Sequence, residues 1–140
     1  MTTPPSDDPV RHDDVDRAMR VFPRVTTAVA DARDWLTAFL RAHSMQDGVV
    51  EDAVLVTSEL VTNALRHGLG DVVVRAVADD GDVHLAVTDS SGDMPVLLAP
   101  DPERVGGVGL RIVDELASRW GTSPFPGGKT VWVVLRGQQS

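Results

Sequence analysis

Cysteine is absent from all 140 residues. That excludes a disulfide framework, zinc held by thiolates and a thiol nucleophile, so any chemistry must use oxygen and nitrogen groups. Long apolar runs are missing too, and none approaches the roughly 20 residues needed to span a bilayer, so no membrane segment is expected. Positive charge is scarce: 13 Lys and Arg stand against 21 Asp and Glu, a formal net charge of −8. Nucleic-acid binding begins with phosphates neutralised by clustered cations, and without a basic stripe no direct nucleic-acid contact is expected. The first residues are acidic and proline-rich rather than basic and apolar, which argues against a signal segment and makes a cytoplasmic location the default expectation. A phosphate-bearing ligand would have to be held by backbone N–H groups, a metal ion or a few local cations.

What is present suits one domain, since 42% of the residues are hydrophobic and the length affords a single core. Residues 1–16 hold Pro4, Pro5, Pro9 and five aspartates, too little apolar content to offset ordering, and read as a disordered acidic tail. Residues 17–136 read as the domain and 137–140 as a polar tail. Arg17 to Phe22 suggests a short edge strand closed by Pro23. Val25, Val29, Ala32, Leu36, Phe39 and Leu40 recur near the 3.6 period of a helix over about 25–43, with Trp35 beside that stripe as a core residue. Asp47-Gly48 reads as a break before a second helix, in which Val50, Val54, Val61, Ala64 and Leu65 face inward and Gly68 supplies the stop.

The period then changes to two. Val72, Val74 and Ala76, then Val83, Leu85 and Val87, alternate with other residues across the turn signal Asp79-Asp80-Gly81, which predicts a hairpin with His84 toward solvent. Pro95, Pro100 and Pro102 make the segment between Gly92 and Val105 a mobile loop. Gly106-Gly107-Val108-Gly109 opens a third helix, ended by Gly121, and a second hairpin pairs about Arg119–Ser123 with Thr130–Leu135. Hairpin-linked strands predict an α+β two-layer sandwich: a mixed, largely antiparallel sheet covered on one face by about three helices.

Four features carry chemistry. Glu59, Asn63 and His67 stand four residues apart, which places them one turn above another on nearly the same helix face. An amide oxygen such as that of Asn63 can ligate Mg²⁺, and an acid one turn earlier can accept a proton from a hydroxyl. Asp89, where the apolar strand gives way to Ser90-Ser91-Gly92, can accept a hydrogen bond from an exocyclic amine while Gly92 permits close backbone approach. The glycines before the third helix leave unpaired N–H groups and partial positive charge open to a polyphosphate, although Asp101 and Glu103 flank them, so Arg104 and a bound divalent cation would have to compensate. In Gly127-Gly128-Lys129-Thr130, the hydroxyl of Thr130 can reach a purine. The spacing is not that of a P-loop, and a strand follows rather than a helix.

In this order the four features resemble the Bergerat ATP-binding fold of the GHKL group, and are most similar to the small anti-sigma-factor serine/threonine kinases of the RsbW and SpoIIAB type. Glu59 to His67 resembles the N box, Asp89-Ser90-Ser91-Gly92 the adenine-binding box, Gly107-Val108-Gly109-Leu110 the second glycine box, and Gly128 to Trp132 the terminal strand motif. The resemblance implies ATP and Mg²⁺ as cofactors, with Asn63 on the metal and Glu59 as general base on an incoming serine hydroxyl. It implies Asp89 and Thr130 at the adenine, backbone N–H groups of Gly107, Gly109 and Leu110 at the phosphates, Arg104 at the γ-phosphate, and His67 either bordering the phosphates or capping the helix. The implied partners are an anti-sigma-factor antagonist of the STAS type and a sigma factor or similar regulator, and a homodimer is compatible with the pattern. Ser91 and Asp93 stand where the fuller motif has glycine, and the lid from Met94 to Val105 is short. Those departures leave open a second expectation, an interaction module that sequesters a partner without turnover.

Overall fold

The computed structural model describes residues 15–90 and 107–137. Eight elements follow in order: β1 (Val15–Phe22), α1 (Ala28–Ala42), α2 (Asp47–His67), β2 (Leu69–Asp79), β3 (Asp82–Ser90), α3 (Gly107–Leu116), β4 (Arg119–Phe125) and β5 (Gly128–Leu135). The expected acidic tail therefore ends earlier than its composition suggests, because Val15 and Asp16 pair with Asp79 and Ala78 and belong to β1. Asp47-Gly48 is not a break but the first turn of α2, where an acidic residue suits the positive end of the helix and glycine leaves few hydrogen bonds to weaken. The proline-rich loop, with Gly92 and Arg104, lies outside the described residues.

The five strands form one sheet of order β1-β2-β3-β5-β4, and every pairing is antiparallel. Asp80 and Gly81 link β2 to β3 with φ of 52° and 88°, the left-handed pair that a two-residue hairpin with right-handed twist requires. Alternation then sorts the side chains. Val72, Val74, Ala76, Val83, Leu85, Val87, Val131 and Val133 are buried on one face and meet α1 and α2. The opposite face shows Met19 and Val21 from β1 at the surface, with Val73 and Val77 half-buried.

The helices bury stripes close to the expected ones, with differences at their margins. Val25 is exposed and precedes α1, and Val29, Phe39, Val54 and Leu65 are half-buried. Gly121, expected to end the third helix, lies in β4. From α1, Ala28, Ala32, Leu36 and Leu40 enter the core at every fourth position; from α2, Val49, Val50, Ala53, Val56, Leu60, Val61 and Ala64 do so. Trp35 packs at the margin of this core, edge-on to Phe22 of β1 at 5.8 Å and stacked against Phe39 at 6.5 Å. That aromatic cluster, with the His43 to Asp16 contact of 2.7 Å, ties α1 to the edge strand. Among the described residues no helix is long and apolar enough to cross a membrane.

Candidate functional site

The C-terminal half of α2 carries Glu59, Asn63 and His67 one turn above another, along the edge of the stripe formed by the buried Leu60, Val61 and Ala64. Glu59 and Asn63 are half-buried and His67 is exposed. The helix ends where it does because Gly68 N–H closes onto the Ala64 carbonyl at 2.8 Å in a backbone conformation outside the helical region. Arg24, which follows β1 in the chain, reaches the same turn: its guanidinium donates to the Ala64 carbonyl at 3.3 Å and to the Leu65 carbonyl. A cation at the carbonyl end of a helix adds donors to carbonyls left short of them in the last turn and opposes the helix dipole. Replacing Arg24 by Ala is expected to cost about 1 kcal/mol and to speed amide exchange in the last turn of α2, measured by denaturant unfolding and hydrogen exchange.

Gly68 also fixes what that turn touches. A Cβ there would lie 3.1 Å from the Asp89 Cβ and 3.0 Å from the Ser90 carbonyl oxygen, so the end of α2 abuts the end of β3 with no room for a side chain. The helix of Asn63 and the strand of Asp89 are thereby brought together. From the other side Gly128, paired with Ser90, packs so closely that a Cβ would fall 2.2 Å from the Asp89 carbonyl oxygen.

Asp89 is 4% exposed, a carboxylate taken almost wholly out of water. Lys129, its partner in the β3–β5 ladder, donates from Nζ to Oδ2 at 2.8 Å. Burying a carboxylate is costly unless a charge and hydrogen bonds compensate, and Lys129 supplies the charge. Oδ1 is buried with no hydrogen-bond partner among the described residues. An orphaned acceptor of this kind, beside a helix end and flanked by two glycines, fits a ligand that donates a hydrogen bond.

Thr130 is placed differently from the sequence expectation. Successive strand residues face opposite sides, so with Lys129 on the side of Asp89, Thr130 points to the other face and its hydroxyl shares a 2.8 Å hydrogen bond with that of Thr88. The residue beside Asp89 is Lys129, which sequence reasoning passed over. Its adjacency to Thr130 was visible, but which of two neighbours faces Asp89 depends on the β3–β5 register.

The third element is α3, packed against α2 and beginning at Gly107. The first-turn N–H groups of Gly107 to Leu110 have no acceptor within the helix, which suits an anion. Leu110 is half-buried and Val113 buried, so the apolar face of α3 anchors it. Among the described residues no three or more His, Cys, Asp or Glu side chains cluster to hold a metal ion. A magnesium ion needs no such cluster, since it keeps waters and takes one or two protein oxygens with substrate phosphates; the Asn63 oxygen fits that habit.

A layer of helices on an antiparallel sheet, with an amide-bearing helix meeting a strand-end carboxylate and a third helix packed on the first, is an α+β architecture of the GHKL kind. The model of the histidine kinase-like ATPase domain matches residues 22–135, and the chain belongs to that family. No curated protein sequence matches significantly. Among solved structures the chain is similar to the RsbU and RsbW domains of Rv1364c from Mycobacterium tuberculosis, with a TM-score of 0.70 at 23% identity. The match covers 89% of this chain but 33% of that one, so the chain spans a third of its neighbour's length.

Proposed function

We propose that the chain is a Mg-ATP-dependent serine/threonine protein kinase of the anti-sigma-factor type, acting on an antagonist protein and binding a sigma factor or similar regulator. The observation that carries the reading is the buried, unpartnered Oδ1 of Asp89 where α2 and β3 meet. It is suited to the exocyclic amine of adenine. The N–H groups that open α3 would take the phosphates. Asn63 would hold a magnesium ion, which when bound neutralises charge on those phosphates. Glu59, one turn below Asn63, accepts the proton of an incoming serine hydroxyl as that oxygen bonds to the γ-phosphorus and the bond to the departing ADP oxygen breaks. Family membership and the likeness to an RsbW domain support this assignment; the partner class rests on the likeness and the sequence motifs.

The test is calorimetric titration of the chain with Mg-ATP, followed by transfer of radiolabel to a co-encoded antagonist. Saturable binding is expected. Asp89→Asn should weaken it by about 10- to 100-fold, the worth of one charge-assisted hydrogen bond. An amide has one acceptor oxygen, and Lys129 would take it, turning the N–H₂ toward the adenine amine. Absence of binding at millimolar ATP would remove the kinase reading.

A further inference from the structure

We propose that Arg24 is a positioning residue of the nucleotide site: by holding the last turn of α2 it sets Asn63 and Asp89 in their relative places and couples the attachment of β1 to nucleotide affinity. The proposal rests on the reading of Asn63 and Asp89 as nucleotide-binding residues. Among the described residues the hydrogen bonds of Arg24 go to two backbone carbonyls of α2, so its effect passes through the turn that it holds.

That turn has few other anchors. The buried stripe of α2 ends at Ala64; beyond it Leu65 is half-buried, and Arg66 and His67 are exposed. Gly68 meets Asp89 with backbone alone, having no side chain to lock it. Helix ends fray where the last carbonyls lack donors. Arg24 supplies donors there from 40 residues away: to the Ala64 carbonyl at 3.3 Å, which also receives the Gly68 N–H at 2.8 Å, and to the Leu65 carbonyl. These peptide units follow Asn63 directly and lead into Gly68, where an added Cβ would lie 3.1 Å from that of Asp89. One guanidinium therefore steadies the stretch between the residue proposed for the metal and the residue proposed for the base.

The arm is rooted firmly. Phe22, two residues before Arg24, is buried and pairs with Val72 in the β1–β2 ladder; Pro23 has a restricted φ, and the Val25 N–H closes on the Pro23 carbonyl at 2.8 Å. A planar guanidinium can address two carbonyls at once, which a point-like ammonium does less well. When β1 detaches, the root of Arg24 leaves with it and the turn loses its clamp. By reciprocity, a nucleotide that needs the ordered turn favours an attached β1.

Calorimetric titration with Mg-ATP and hydrogen exchange on the same proteins test this. Arg24→Ala is expected to weaken Mg-ATP by about fivefold, because only molecules with an ordered turn are competent to bind. Arg24→Lys should recover part of the loss. Asp16→Ala, which removes the contact to His43 at the other end of β1, should leave affinity within about twofold of wild type. Saturating Mg-ATP should slow exchange of the β1 amides that pair with β2 in the wild type and not in Arg24→Ala, a difference that a purely structural arginine would not produce. If Arg24→Ala does not fold, Arg24→Gln carries both comparisons. Affinity of the variant within about twofold of wild type, an equal loss in Asp16→Ala, or equal slowing in both proteins overturns the proposal and leaves Arg24 as a helix-end cap only. Those results spare the kinase reading, whereas a wild type that binds no Mg-ATP overturns both.

Discussion

Glu59→Ala is expected to lower phosphoryl transfer to the antagonist by about 10²- to 10⁴-fold, the usual worth of a positioned general base, while ATP affinity stays within about threefold of wild type. The two outcomes separate because Glu59 and Asp89 sit on different elements. In the proposed site the adenine would be held at the end of β3, whereas Glu59 lies one helical turn before Asn63 on α2, where the phosphates would sit. Removing a carboxylate near the phosphates takes away repulsion in the bound state, so affinity should hold or improve slightly. Glu59 is half-buried rather than part of the core cluster, so its truncation should cost little stability. Glu59→Gln, which keeps the shape, should be as defective as Glu59→Ala if proton acceptance is the role. Radiolabel transfer with calorimetry on each variant reads both quantities. Retention of transfer within tenfold in Glu59→Ala would show that the hydroxyl proton goes elsewhere.

The second large effect is on stability. A methyl group on Gly128 would lie 2.2 Å from the Asp89 carbonyl oxygen and 2.7 Å from Cζ of Phe125. The Phe125 ring is 39% exposed and can swing aside. The carbonyl cannot, because Asp89 and Ser90 are locked in register with Lys129 and Gly128. Gly128→Ala should therefore part β3 from β5 at their site end, at a cost of about 3 kcal/mol. Thermal unfolding should show the midpoint lowered by about 10 °C. Gly48 is the control, since nothing lies within 4 Å of a Cβ there and it sits inside α2, where alanine is the better helix former. Gly48→Ala should match or exceed wild-type stability. An unchanged midpoint in Gly128→Ala would mean that the strand pair yields more easily than its ladder implies.

Much of this architecture was legible in the residue pattern because it rests on local periodicity. The near-3.6 spacing of Val29, Ala32, Leu36, Phe39 and Leu40 identified α1, though not its start at Ala28, and the twofold spacing of Val83, Leu85 and Val87 identified β3 before any pairing was known. The same spacing put Glu59, Asn63 and His67 on one helix face. What the pattern could not supply was decided between distant segments. Val15 and Asp16 look like a polar tail until β2 offers them partners. Arg24 looks like a loop cation, and its task appears only when the end of α2 arrives beside it. Lys129 and Thr130 are neighbours in sequence, and the register of β5 on β3 alone gives the first to Asp89 and the second to Thr88.

The position of β1 has a consequence for time rather than for place. Its partner strand β2 comes only after α1 and α2 in the chain, yet Phe22 must find Val72 and Val15 must find Asp79. The hairpins β2–β3 and β4–β5 close through short turns, whereas β1 pairs only after a long loop has been drawn shut, whose entropy is lost before any contact repays it. The edge strand is thus expected to anneal late and to detach early. Arg24, which leads out of it, grips the end of α2 only once that late step is complete. On that order the turn beside Asp89, and with it the proposed nucleotide site, would be completed after the core beneath it.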